Sequence, residues 1–143
     1  MGKKEVSTGG SSFAARTPGV VRIKVRGYHL DVFGHVNNAR YLEFLEEGRW
    51  AFAEESLPVE EWRRRGLVFS VVRIDISYRR PAVLGDELEV RTWVSKVGRS
   101  SATLRQEVYL QGTETLVADA DVTFVLMDPE RGRAVPLPDE VRR

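Results

Sequence analysis

Cysteine is absent from the 143-residue chain, which excludes disulfide bonds, thiolate metal sites and a cysteine nucleophile. No apolar run approaches the roughly 18 residues that a membrane-spanning helix needs, and the N-terminal end lacks the apolar centre of a secretory signal. The chain also has no large excess of positive or negative charge, because 22 basic residues nearly balance 21 acidic ones. We therefore expect a cytoplasmic protein with no membrane insertion and no nucleic-acid partner.

Several catalytic signatures are missing too. The chain has no G-x-x-x-x-G-K-[ST] loop, no G-x-G-x-x-G loop and no G-x-S-x-G elbow. Its two histidines, His29 and His35, lie beside an aspartate, but their spacing matches no zinc-type ligand pattern. We expect neither a metal nor a cofactor.

The composition suits one domain, since 42% hydrophobic residues in a chain of this length can form one substantial core. Residues 1–18 are rich in glycine and serine and have only Val6 and Phe13 as sizeable apolar side chains, which predicts a disordered N-terminal tail. Residues 19–143 are then a single domain. Its last part, Arg131–Arg143, contains a turn sequence and two prolines and is expected to be poorly ordered.

Hydrophobic periodicity predicts five strands and one long helix. Period-two alternation begins at Val20 and returns in four later segments, whose apolar faces are Val72, Ile74, Ile76, Tyr78; Leu88, Val90, Val94; Ala102, Leu104, Val108, Leu110; and Leu116, Ala118, Ala120, Val122, Phe124, Leu126. Helical spacing runs from about Asn38 to Ser56. Gly48 interrupts its apolar stripe and would be tolerated if another element packs closely there.

The connections between the last four strands are short and contain glycine, as antiparallel hairpins require. The order is therefore one strand, one helix and a four-stranded meander, with the helix covering the apolar face of the sheet. This order predicts an α+β fold in which a five-stranded antiparallel sheet wraps around one long central helix.

Reactive side chains are concentrated between the first strand and the helix. Asn37 or Asn38 can cap the helix, whose free N–H groups and positive dipole end would then lie close to Asp31. A carboxylate beside backbone donors can attack a carbonyl, or activate water to attack it, while the donors polarise the carbonyl oxygen. The arrangement predicts hydrolysis of an acyl group.

The string from Asp31 to Tyr41 reads D-x-x-G-H-V-N-N-x-x-Y and resembles that of the hotdog-fold thioesterases of the 4-hydroxybenzoyl-CoA thioesterase type. The resemblance implies an acyl-CoA thioesterase in which Asp31 is the catalytic carboxylate and the backbone N–H of Asn38 polarises the thioester carbonyl. It also implies a homodimer or homotetramer, with active sites shared between two subunits. His35, Asn37 and Tyr41 are expected to bind substrate or to orient the loop.

Several alternatives remain open at this point. Asp31 could serve as the nucleophile or as a general base, or it could merely accept hydrogen bonds from loop N–H groups. A second branch of similar thioesterases takes its carboxylate from within the helix, for which Glu46 and Glu47 are the candidates. The substrate could be an acyl group on acyl carrier protein, and a non-catalytic acyl-binding module would keep the same fold. The candidates for binding coenzyme A phosphates are the run Arg63–Arg65 and also Arg79, Arg80 and Arg99.

Overall fold

The structure, a computed structural model, describes residues 18–139. The expected disorder of residues 1–17, and the part of the expected disordered end at 140–143, lie outside that range. The elements follow one another as β1 (Gly19–Lys24), α1 (Asn38–Ser56), α2 (Val59–Arg64), β2 (Val68–Tyr78), β3 (Glu87–Val97), β4 (Ser101–Leu110), β5 (Leu116–Asp128) and β6 (Arg133–Val135).

Helix α1 has the predicted bounds because both of its ends carry local signals. Asn37 is the N-cap, and its side-chain oxygen accepts a hydrogen bond from the Ala39 N–H at 2.9 Å. Pro58 lies just beyond the last turn, where it cannot continue the helix. The buried face of the helix consists of Tyr41, Phe44, Leu45, Gly48, Phe52 and Ala53.

The strands form one antiparallel sheet in the order β1-β3-β4-β5-β2, and β6 pairs with the end of β5. Helix α1 packs most closely on β1 and β3, while β2 lies further from the helix backbone. The inner face of the sheet carries the core side chains that point towards the helix. The predicted α+β hotdog architecture is confirmed. No helix within residues 18–139 is long and apolar enough to cross a membrane.

The C-terminal segment differs from its expected disorder. Residues Arg133–Val135 pair with Leu126–Asp128 as a sixth strand, β6. Leu137 follows and is buried, and its N–H donates to the carbonyl oxygen of Arg99. A three-residue strand gives no detectable periodicity, so its pairing depends on tertiary contacts that the local sequence does not reveal.

Strand β2 contains a bulge that moves Val72 off the predicted apolar face. The pairing with β5 jumps from Val71 opposite Phe124 to Arg73 opposite Thr123, which leaves Val72 without a partner on β5. Val72 is consequently 59% exposed. The side chains that do face the helix are those opposite the buried residues of β5, namely Phe69, Val71, Ile74, Ile76 and Tyr78.

A buried polar cluster joins the middle of α1 to the sheet. The side-chain nitrogen of Gln106 donates to the Leu45 carbonyl oxygen and to Thr92 Oγ1, each at 2.8 Å. The side-chain oxygen of Gln106 accepts a hydrogen bond from Arg49 at 3.1 Å. This approach is possible because Gly48 presents no side chain at the contact.

Gly48→Ala is expected to destabilise the protein, although alanine is the better helix former. An added Cβ would lie 2.7 Å from Val90 Cγ1 and 2.9 Å from Thr92 Oγ1, so the helix or the sheet must shift. Overpacking of this kind costs about 1–3 kcal/mol. Chemical denaturation measures the change in the free energy of unfolding. Gly27→Ala is the matched control, because nothing lies within 4 Å of its added Cβ; equal stability of both variants would contradict the close packing.

Candidate active site

The loop before α1 is a tight hairpin. The Asp31 N–H donates to the His35 carbonyl oxygen at 2.8 Å, and the Gly34 N–H donates back to the Asp31 carbonyl oxygen at 3.1 Å. Gly34 has a φ of 80°, the left-handed conformation that closes a three-residue hairpin loop and that glycine adopts without strain. The aspartate and the glycine of the D-x-x-G string therefore begin and end one turn.

The two carboxylate oxygens of Asp31 have different surroundings. Oδ1 accepts a hydrogen bond from the Phe33 N–H at 2.9 Å and a longer one from the His35 N–H at 3.4 Å. Within residues 18–139, no hydrogen bond is made to Oδ2. Oδ1 thus accepts hydrogen bonds from loop N–H groups, which was one of the alternatives for Asp31. Oδ2 is available to a substrate or a water molecule.

The first turn of α1 presents an available donor next to this loop. Asn37 caps the Ala39 N–H with its side chain, and its own carbonyl oxygen accepts from the Arg40 N–H. The Asn38 N–H donates to no group in the described part of the chain. A free N–H at a helix N-terminus is suited to bind an oxygen that carries negative charge.

All five predicted site residues line one cleft. Its volume is about 490 Å³, and Asp31, His35, Asn37, Asn38 and Tyr41 contribute to its wall. The rest of the lining comes from the neighbouring Val36 and from the end of β2 and the residues after it, Tyr78, Arg79, Arg80 and Pro81. The cleft is joined across the two segments by the hydrogen bond from the Val36 N–H to the Ala82 carbonyl oxygen.

Tyr78 is a cleft residue that the sequence placed only on an apolar sheet face. Its hydroxyl donates to the Asn38 carbonyl oxygen at 3.0 Å, and its ring packs edge-on against Tyr41. Burial raises the pKa of Tyr41 to about 12, and a backbone hydrogen bond with Ala82 opposes that shift. Burial also raises the pKa of Tyr78. Both phenols are neutral at pH 7. No local signal in the sequence indicates this position, because it depends on the contact between the end of β2 and the start of α1.

Arg79 and Arg80 differ in their charge partners. Arg79 donates to the Asp119 carboxylate at 2.9 Å, and Arg105 donates to the same carboxylate. Burial by itself raises the pKa of Asp119, but the hydrogen bonds from the two arginines outweigh it and hold the pKa below its usual range. Among residues 18–139, Arg80 has no carboxylate partner. Its guanidinium is the cation of the cleft that remains available to an anionic ligand.

His29 and the helix glutamates lie outside the cleft. His29 is buried, its Nδ1 accepts a hydrogen bond from the Arg26 N–H, and its ring packs edge-on against Phe44. Burial lowers the pKa of His29, and the positive charge of Arg40 adds to this effect. Glu46 is beside Trp50, and neither it nor Glu47 contributes to the cleft wall. Within the described residues, no group of three or more acidic or histidine side chains is arranged to hold a metal ion.

The architecture defines a class of protein, the hotdog-fold proteins, in which an antiparallel sheet wraps around one long helix, and here the cleft lies at the N-terminus of that helix. The chain belongs to the thioesterase-like superfamily, whose family model matches residues 25–143. The predicted class of enzyme, a thioester hydrolase, is confirmed.

The chain is similar to proteins from two bacteria, Escherichia coli and Thermus thermophilus. The long-chain acyl-CoA thioesterase FadM of Escherichia coli K12 is 47% identical over 121 residues, which cover 85% of this chain and 92% of that protein. The crystal structure of YbaW, a probable thioesterase from E. coli, has a TM-score of 0.81 at 46% identity, covering 87% and 93% of the two chains. A thioesterase from Thermus thermophilus, solved with coenzyme A and zinc, has a TM-score of 0.75 at 35% identity, covering 89% and 96%.

Proposed function

We propose that this protein hydrolyses long-chain acyl-CoA thioesters to a free acid and coenzyme A. The observation that carries the proposal is the joint position of the Asp31 carboxylate and the Asn38 N–H in the wall of one cleft. The sequence predicted an acyl-CoA substrate, and the names of similar proteins agree with it. The length of the acyl group rests on the similarity to FadM, which is named for long-chain substrates.

The chemistry follows from the two available groups. The Asn38 N–H binds the thioester carbonyl oxygen and stabilises the negative charge that develops on it. Asp31 Oδ2 then either attacks the carbonyl carbon, which gives an acyl–aspartyl anhydride and releases the thiolate, or removes a proton from an attacking water molecule. In the first route water hydrolyses the anhydride and restores the carboxylate. Both routes consume one water molecule and yield the acid and the thiol.

The surroundings of the two groups support this assignment. The Asn38 N–H belongs to the same peptide unit as the Asn37 carbonyl oxygen, which accepts a hydrogen bond from the Arg40 N–H at 2.9 Å, so the Asn38 N–H has a fixed direction. The cap hydrogen bond of Asn37 and the hydrogen bond from the Tyr78 hydroxyl to the Asn38 carbonyl oxygen hold the next peptide unit. Arg80 is free to contact a phosphate of coenzyme A. His35 lies in the cleft wall, where it is placed to contact substrate or to orient the loop. The absence of cysteine is compatible with action in the cytoplasm.

Release of free thiol from a series of acyl-CoA substrates tests the proposal. We expect hydrolysis of long acyl chains and much slower hydrolysis of acetyl-CoA. The same acyl groups on acyl carrier protein provide the comparison, because that substrate presents a protein surface in place of the nucleotide. Faster release from the carrier protein would assign the enzyme to the alternative substrate, and no release from either would indicate a non-catalytic acyl-binding module.

We also propose that the protein forms at least a homodimer through β2. This strand is at the end of the sheet order, and it exposes apolar side chains on the helix side along an edge that no described strand pairs. A long edge of this kind favours pairing with another strand. Two sheets joined at β2 would also bring the second copy beside the cleft, since Tyr78 and Arg80 lie at the end of that strand.

Sedimentation at micromolar concentration is expected to give about twice the chain mass of 16.2 kDa, or a multiple of that value. Val72→Pro should weaken the assembly, because Val72 is a bulge residue with no partner on β5, where the sheet tolerates a proline, and the proline ring interrupts the edge that a second strand would pair with. Val72→Thr keeps the N–H and serves as the control. An active monomer of 16.2 kDa would refute the shared interface.

A further inference from the structure

An uncovered apolar track runs from the cleft along one flank of α1. On the strand side it is formed by the residues of β2 that face the helix, from Tyr78 at the cleft to Phe69 at the far end. On the helix side it runs from Asn38 past Leu42, which is partly exposed, and past the exposed Glu46 to Trp50. Glu46 is the charged residue of this row, and its carboxylate accepts a hydrogen bond from Trp50. The track exists because the backbone of β2 lies further from α1 than those of β1 and β3 do.

The far end of the track is an apolar pocket of about 120 Å³. Its lining comes from α1, the segment after it and three strands, and consists of six apolar residues, Trp50, Leu57, Phe69, Val71, Leu104 and Phe124, together with the charged Glu46 and Arg49. A second apolar cavity of about 290 Å³ lies beyond it, lined in part by Trp62 and Val68. Trp50 and Phe69 are in the walls of both cavities.

Contacts on several sides hold these two rings. Their centroids are 6.2 Å apart, and Phe69 also packs edge-on against Trp62 at 5.6 Å and in a tilted arrangement against Phe124 at 5.4 Å. The indole N–H of Trp50 donates to Glu46 at 3.4 Å. The pair therefore forms a partition between the inner pocket and the outer cavity.

The length of the track matches one long alkyl chain. Asn38 and Trp50 are separated by twelve helical residues, which span about 18 Å at about 1.5 Å each. The hydrocarbon core of a bilayer, about 30 Å for two opposed acyl chains, gives about 15 Å for one. An acyl group whose carbonyl is bound at Asn38 would thus bring its methyl end to Trp50 and Phe69.

We infer that the Trp50–Phe69 pair is the stop that sets the maximum acyl length of this enzyme. The inference rests on the proposed function and names the residues that determine its specificity. Chains that end within the inner pocket bury each added methylene, whereas longer chains meet the two rings. The catalytic groups lie at the opposite end of the track, so a change at Trp50 alters the length of chain accepted and leaves the chemistry at Asp31 unaffected.

Trp50→Ala is expected to join the two cavities and to extend the accepted chain length. For acyl-CoA substrates from C8 to C22, kcat/KM of the wild type should rise, reach a maximum and fall. In the variant the fall should move to longer chains, with kcat/KM continuing to rise roughly fourfold per added methylene group. Val71→Phe should move the maximum to shorter chains, because it fills the inner pocket from a partly exposed position.

Two controls separate the possible outcomes. Trp93→Ala removes a tryptophan from the outer face of β3 and should leave the profile unchanged. The affinity of the Asp31→Asn variant for the same acyl-CoA series, measured with and without Trp50→Ala, gives the preferred chain length in the absence of turnover. If Trp50→Ala is active and its kcat/KM depends on chain length as in the wild type, the pair does not limit the acyl length. A variant that changes only in oligomeric mass contradicts the inference in the same way. Failure of the wild type to hydrolyse any acyl-CoA overturns the proposed function instead.

Discussion

Asp31→Asn should reduce turnover of acyl-CoA by a factor on the order of 100 to 10,000, the range expected when a general base is removed. Asparagine can neither attack the thioester carbon nor accept a proton from water at neutral pH. Its side-chain oxygen can still accept the hydrogen bond that the Phe33 N–H gives to Asp31 Oδ1. The hairpin should therefore persist, and steady-state kinetics would report the loss of charge. Retention of more than about a third of the wild-type turnover is incompatible with catalysis by Asp31.

Asp86→Asn is the matched control for that variant. Asp86 also accepts a backbone hydrogen bond within a loop, from the Val83 N–H at 3.0 Å, but it does not line the cleft. Near-normal activity of Asp86→Asn beside an inactive Asp31→Asn would separate catalysis from the general effect of neutralising a loop carboxylate.

Asn38→Pro is expected to raise the barrier by about 2.7–4 kcal/mol, which is the cost of losing one oxyanion donor elsewhere. Proline removes the N–H but is well tolerated at the first position of a helix, which is where Asn38 lies. The residue before it must be extended, and Asn37 already is, with φ −61° and ψ 135°. The helix should form, and the loss should appear in kcat.

Asn38→Ala provides the comparison, because it removes the same side chain and keeps the N–H. The alanine variant should retain most of the activity that the proline variant loses. If a folded proline variant hydrolyses thioesters at the wild-type rate, the carbonyl oxygen is bound by another group. Circular dichroism and thermal unfolding establish that both variants are folded.

Local signals explain why the sequence predicts some parts of the structure closely. Helix α1 carries a cap at Asn37 and a stop at Pro58, and its apolar stripe repeats over five turns, so its bounds follow from the sequence. The turn from Asp31 to Gly34 is equally local, since Gly34 supplies the left-handed residue that the hairpin needs. The five proposed site residues all come from this one segment, which is why sequence alone could place them together.

The features that the sequence did not predict depend on contacts between distant segments. The bulge at Val72 depends on how β2 pairs with β5, and period two alone placed that residue on the wrong face. Strand β6 is too short to show a period, and the burial of Leu137 depends on the loop that contains Arg99. Tyr78 reaches the helix start only because β2 ends there.

The buried Gln106 cluster restricts how α1 can be seated on the sheet. An amide in an apolar interface costs about 1–3 kcal/mol when its partners are missing. A helix that slid by one turn, about 5.4 Å, would remove the Leu45 carbonyl oxygen from Gln106 and bring a side chain to the place of Gly48. Any other position of α1 on the sheet is thus disfavoured both by the lost hydrogen bond of Gln106 and by a steric clash at the place of Gly48. Folding to a single seating leaves the N-terminus of α1 in a fixed position before any substrate arrives, so binding energy is not consumed in ordering the helix.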